Sequence, residues 1–170
     1  AILVGSIGVA HIIGALRAGG IWSDSRGTNM LDGGAPFYDT YETADGKYVS
    51  IGALEPKFFA EMAERIGLDA RFIKGQHDRR LWPEMRAEMT RLLRAKTRDA
   101  WCKLLEGSDA CFAPVLSIEE APQHPHAQAR QAFIDVAGVV QPGPAPRFDR
   151  STPEPVRPAS DTGLPTRPSR

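Results

Sequence analysis

Apolar residues run almost without a break through the first sixteen positions, AILVGSIGVAHIIGAL, and no charged residue falls between Ala1 and Leu16. A helix apolar on every face expects burial on every face. Gly5 and Gly8 would let another backbone come close. Such a helix needs partners, and the rest of the chain offers few, so the sequence is expected to start inside a larger fold. The run is shorter than the roughly 20 residues of a membrane span. It lacks a starting Met and a basic leader, so it does not read as a signal peptide. His11, inside the run, is expected to be buried and bonded to a backbone carbonyl.

The pattern then changes. RAGGIWSDSRGTNMLDGGAP, Arg17 to Pro36, is rich in Gly, Ser, Asp and Asn and reads as a linker. Two β-prone runs follow, Phe37–Thr43 and Lys47–Ala53, flanking Asp45-Gly46. That pair predicts a hairpin with a two-residue type I′ loop. Thr43 then faces Tyr48 and Tyr41 faces Ser50, with Val49, Ile51 and Ala53 on the core side. Tyr38, Tyr41 and Tyr48 read as cross-strand packing.

Helical spacing takes over after Pro56. Phe58, Phe59, Met62, Ala63 and Ile66 recur on one face until Gly67. A second helix is predicted from Pro83 to about Lys96. A third runs from about Arg98 to Glu106, capped by Thr97, with Trp101, Leu104 and Leu105 inward and Gly107 as the stop. ACFAPVLS reads as a short strand that Pro114 confines to an edge or a bulge. SIEE, Ser117–Glu120, matches a capping box before a short helix, and Pro125 opens a further turn. FIDVAGVV reads as a last strand. From Gln141 onward the chain holds eight of its 14 prolines. Apolar surface there is too scarce to offset ordering, so the tail is expected to be extended or disordered.

The fold class is therefore α+β. Residues 1–20 hold a docking helix that is expected to find its partners in a larger fold, and 21–36 a linker. Residues 37–140 form a small α+β domain and 141–170 the proline-rich tail.

Composition narrows function mostly by exclusion. The 170 residues carry 21 basic and 21 acidic side chains, so no charge excess points to nucleic acid. Cys102 and Cys111 make no CxxC pair and read as buried thiols in a reducing, cytoplasmic setting. His124 and His126 lack a carboxylate or thiol at ligand spacing, so no metal is expected. No P-loop, dinucleotide fingerprint or G-x-S-x-G elbow occurs, and no bound cofactor is expected. Asp32, before Gly33-Gly34, carries turn chemistry. Glu55 stands apart, at the end of a strand and before the proline that opens a helix. It would compensate the helix dipole there, or handle a proton.

One long stretch, RGTNMLDGGAPFYDTYETADGKYVSIGALEPKFF, together with WPEM, SDACFAPVLS and PAPRF, resembles the second half of the alpha-methylacyl-CoA racemases, within the family III CoA-transferases. The resemblance spans about Ala1 to Phe148. It implies a small α+β domain preceded by the last helix of a large Rossmann-like domain and a linker. Two chains of the family interlock as a dimer. It implies acyl-CoA as substrate and proton transfer at the carbon α to the thioester. A histidine assisted by a glutamate serves one face of that carbon, and an aspartate the other. The glutamate maps to Glu55. The histidine and aspartate lie upstream of the point that matches Ala1, and neither His11 nor Asp32 takes their place. The resemblance thus implies a C-terminal fragment, inactive alone. The alternatives are a CoA-transferase that moves CoA between carboxylates, or a non-catalytic remnant serving as a dimerising module.

Overall fold

The computed structural model describes residues 2–158 apart from Asp149, Thr152, Pro153 and Pro155, and of residues 2–6 the backbone alone. The expected tail beyond residue 158 lies outside the described residues. The chain divides into two units, Ala1–Val115 and Leu116–Arg170.

The first unit opens with α1 (Ile2–Ala18). Among its described side chains, Ile7 is 46 %, Val9 62 % and Ile12 59 % exposed. His11 is exposed as well, so the expectation of a buried histidine is corrected. Its Nδ1 does sit 2.8 Å from the carbonyl of Ile7 one turn back. No helix among the described residues is long and apolar enough to cross a membrane.

The linker that follows is held by its own polar groups, and leads into a sheet of three antiparallel strands. These are β1 (Tyr38–Glu42), β2 (Tyr48–Gly52) and β3 (Phe112–Val115), in the order β1-β2-β3. Pro114 lies on β3, an outer strand, as its missing N–H requires. The core face carries Val49, Ile51 and Ala53 as expected, all nearly inaccessible.

The hairpin register differs from the expected one by a residue. Tyr41 pairs with Val49 and Glu42 with Tyr48. The loop has three residues, Ala44 to Gly46, closed by Thr43 N–H to the Lys47 carbonyl at 2.8 Å. Gly46 takes φ +70°, the left-handed residue of a three-residue loop with a bulge. The shift turns Tyr41 and Thr43 inward. Tyr41 is buried and donates to the Pro36 carbonyl at 2.6 Å, which corrects its expected pairing with Ser50 on the face opposite Val49 and Ile51. Burial pushes its phenol pKa well above the usual value.

Four helices cover the core face. α2 (Pro56–Ile66) buries Phe59, Met62, Ala63 and Ile66, and Gly67 ends it. α3 (Ala70–Lys74) is a single short turn that the apolar pattern does not signal; the Asp69 side chain caps it through Arg71 N–H. α4 (Trp82–Leu93) starts one residue before Pro83 and stops short of Lys96. α5 (Arg98–Leu105) is capped by Thr97 through Ala100 N–H, as expected. Leu104 on α5 points outward at 38 % exposure, against expectation, while Trp101 and Leu105 are buried. Phe37 meets Phe59 and Trp82 edge-on, with centroids 5.6 and 5.7 Å apart.

In the second unit the capping box forms as read. Ser117 N–H donates to Glu120 Oε2 at 3.0 Å, and Glu120 N–H to Ser117 Oγ at 3.1 Å. A 3₁₀ turn (Ala121–Gln123) and α6 (Pro125–Ala129) follow. FIDVAGVV is two strands rather than one: β4 (Phe133–Val136) and β5 (Val139–Pro142) pair across Ala137-Gly138. Both turn residues have positive φ, and Asp135 Oδ1 accepts from Gly138 N–H at 2.9 Å.

Candidate functional site

The stretch from Ser50 to Gly67 leaves the sheet and enters a helix within a few residues. The ladder to β3 ends at Gly52, whose N–H donates to the Cys111 carbonyl at 2.9 Å. Leu54 N–H then folds back to the Gly52 carbonyl at 3.0 Å. Glu55 follows as the residue that opens α2, with φ −76° and ψ 136°. Its carbonyl accepts from Phe58 and Phe59 N–H, both at 3.0 Å. Its side chain makes no capping bond to the helix. The carboxylate is exposed, held by its backbone, and not spent on the helix end.

A groove of about 560 Å³ lies beside this bend. Tyr38, Thr40, Ser50, Gly52, Cys111 and Ala113 form its floor, and Asp32, Gly33 and Asp39 one wall. Glu55 is not among the lining residues, but it is close to one of them. Burial pushes the Cys111 thiol pKa up, and the negative charge of Glu55 adds to the effect. Cys111 is exposed, with φ +48°, so the reading of both cysteines as buried holds at most for Cys102. Cys102 is half-buried, and burial together with the nearby Glu106 pushes its pKa up to about 11.

Both carboxylates of the wall are already engaged. Asp32 accepts from Gly27, Asn29 and Gly34 N–H and from Asn29 Nδ2, the last at 2.7 Å. Burial alone would raise its pKa, but these bonds together bring it below the usual carboxylate range. It is the turn residue that the sequence suggests. Gly34 is forced by close approach, since a Cβ there would sit 2.3 Å from the Asn29 carbonyl. Asp39 pairs with Arg86 of α4, whose other nitrogen donates to the carbonyls of Gly33 (2.6 Å) and Gly34 (3.1 Å). No Lys, Arg or His is among the described residues that line the groove. It therefore suits an uncharged part of a ligand better than a phosphate.

Other candidates stay apart. His124 caps α6 by accepting from His126 N–H at 3.3 Å. No cluster of three His, Cys, Asp or Glu side chains that could hold a metal occurs among the described residues. Sequence reading missed Asp39, Arg86 and Gln76, whose contacts join segments far apart in the chain. The Asp in a strand and the Arg in a helix show no local signal of their pairing.

Residues 10–164 match the family model for CoA-transferase family III. Mouse alpha-methylacyl-CoA racemase is 43 % identical over 133 residues, 78 % of this chain and 35 % of that protein. The human alpha-methylacyl-CoA racemase is 42 % identical over 127 residues, 74 % of this chain and 33 % of that protein. The chain thus spans about a third of the length of these relatives. The crystal structure of Rv3272 from M. tuberculosis superposes with a TM-score of 0.55 at 22 % identity, over 65 % of this chain and 32 % of that one. That likeness bears on the fold alone, and the fold it supports is the small α+β domain.

Proposed function

The chain belongs to CoA-transferase family III, and from that premise we propose that it is the C-terminal, small-domain part of a racemase-like enzyme that epimerises 2-methylacyl-CoA thioesters. The observation that carries the proposal is Glu55: a carboxylate just past the end of β2, on a backbone tied to the start of α2 and not used to cap that helix. The identity to two racemases supports the same choice. So does a groove without cations, which suits the acyl or pantetheine portion of the substrate.

In this reaction the α C–H bond breaks and its electron pair moves into the thioester carbonyl, giving an enolate. A proton then returns to the carbon from the opposite face. Glu55 does not need to take the proton itself. Its negative charge beside an imidazole supplied from outside this chain favours the protonated base. A second copy or a partner chain completes the site, and the setting is cytoplasmic; two free thiols fit a reducing compartment. CoA transfer between carboxylates is the second reading, favoured by the family description alone.

The test is exchange of the α-proton of a 2-methylacyl-CoA in deuterated water. It compares the chain by itself with a chimera in which this chain replaces the matching third of the mouse racemase. The chain alone is expected to show background exchange and the chimera to be active. Glu55→Gln in the chimera is expected to lower the rate roughly 10²–10⁴-fold with the fold intact. A folded but inactive chimera overturns the racemase reading. An unchanged rate, with stability lowered by only about 0.3–1 kcal/mol, makes Glu55 a helix-terminal charge instead.

A further inference from the structure

Gln76 lies between α3 and α4 and is 3 % exposed. Its Nε2 donates to two successive carbonyls, Ala53 at 3.1 Å and Leu54 at 3.0 Å. These are the residues between the end of β2 and Glu55, where the sheet ladder has already stopped. Its backbone carbonyl accepts from Trp82 Nε1 at 2.8 Å, so the main chain that carries the amide is itself held in place. Its Oε1 is buried with no hydrogen-bond partner. Reversing the amide would set Oε1 against two carbonyl oxygens, so the network fixes its orientation.

A side chain needed only to fill space would not leave a buried acceptor unpaired, because that is costly and Met or Leu would avoid it. What Gln offers here is two donors for two consecutive carbonyls that no strand reaches. Downstream, Glu55 is tied to α2 through Phe58 and Phe59. Upstream, the amide of Gln76 supplies the matching hold. We propose that Gln76 is a positioning residue, which fixes the backbone at Ala53 and Leu54 and so aims the Glu55 carboxylate. The inference rests on the catalytic reading of Glu55.

A double-mutant cycle in the chimera tests it. Gln76→Met keeps the side-chain length and removes both donors. It is expected to lower kcat for proton exchange roughly 10²-fold, as a misplaced group does, while KM stays within about twofold. In a Glu55→Gln background the same substitution is expected to cost nothing further. A slow Glu55→Gln with a normal Gln76→Met overturns the positioning role and leaves Glu55 catalytic. Losses that simply multiply overturn it too, since Gln76 then acts elsewhere. A normal Glu55→Gln removes the premise and the inference with it. If Gln76→Met does not fold, Gln76→Asn, which draws the amide back by one methylene, is expected to give a smaller loss with the same non-additivity. In the 170-residue chain, NMR should find the Gln76 side-chain amide protons protected from solvent exchange; rapid exchange would overturn the contact itself.

Discussion

α1 and α2 belong to the same unit, and the more apolar of the two is the less buried. In α2 the apolar residues gather on one stripe, and Phe59, Met62 and Ala63 are fully inaccessible beneath the sheet. In α1 they go all the way round, and Ile7, Val9 and Ile12 stand in solvent. Burial here follows the match between a helix's period and a surface able to receive it, not the amount of apolar surface. A stripe needs one partner; a helix apolar on every side needs several.

Substitution in the two helices sharpens this contrast most. Phe59→Ala is expected to destabilise by about 3–5 kcal/mol in urea unfolding, since it removes a ring packed against Phe37. Ile12→Ala is expected to stay within about 0.5 kcal/mol, as exposed sites do. Equal losses would show that α1 is covered in solution and would erase the distinction. Glycines offer a middle-sized version. Gly34→Ala drives a methyl into the Asn29 backbone and is expected to cost about 1–3 kcal/mol. Gly8→Ala in α1 opens onto free space and is expected to stabilise by about 0.5–1 kcal/mol. A neutral Gly34→Ala would mean that the linker rearranges without cost.

The smallest effect is one of pH. Asp32 has its pKa lowered in the folded chain, so its contribution is present above the unfolded value of about 3.9 and disappears as pH falls through the folded value. Asp32→Asn is expected to flatten the acid limb of stability against pH below about 4. α1 has no carboxylate, so this sensitivity belongs to the packed region and its linker. An acid limb that keeps its slope in the variant would assign it to other groups.

Much of the local structure in both units was legible because its signals lie close together in sequence. Pro56 and Gly67 bracket α2, Thr97 caps α5, and Ser117 with Glu120 forms the box before the 3₁₀ turn. The hairpin loop was not, and the reason is tertiary. Asp45 accepts from Thr43 Oγ1 and from Arg98 N–H, and Ala44 N–H donates to the Lys96 carbonyl. Those bonds tie the loop to the start of α5 and accompany the three-residue form over the tight Asp-Gly turn. Glu55 could be picked out by its place between strand and helix. Gln76 could not, because its partners lie 22 and 23 residues away and no spacing announces them.

Pro114 has a consequence for how these molecules behave when crowded. On β3 it stands opposite Val49, between the bonded pairs that include Ser50 with Ala113, so its nitrogen faces away from β2. A fourth strand arriving from solvent would find no donor there. The apolar segment Ala110–Leu116, otherwise a ready template for strand addition, is thereby made a poor seed for intermolecular sheet growth. One imino acid thus blunts the β3 edge of the sheet, whereas β1, the other outer strand, carries no such block.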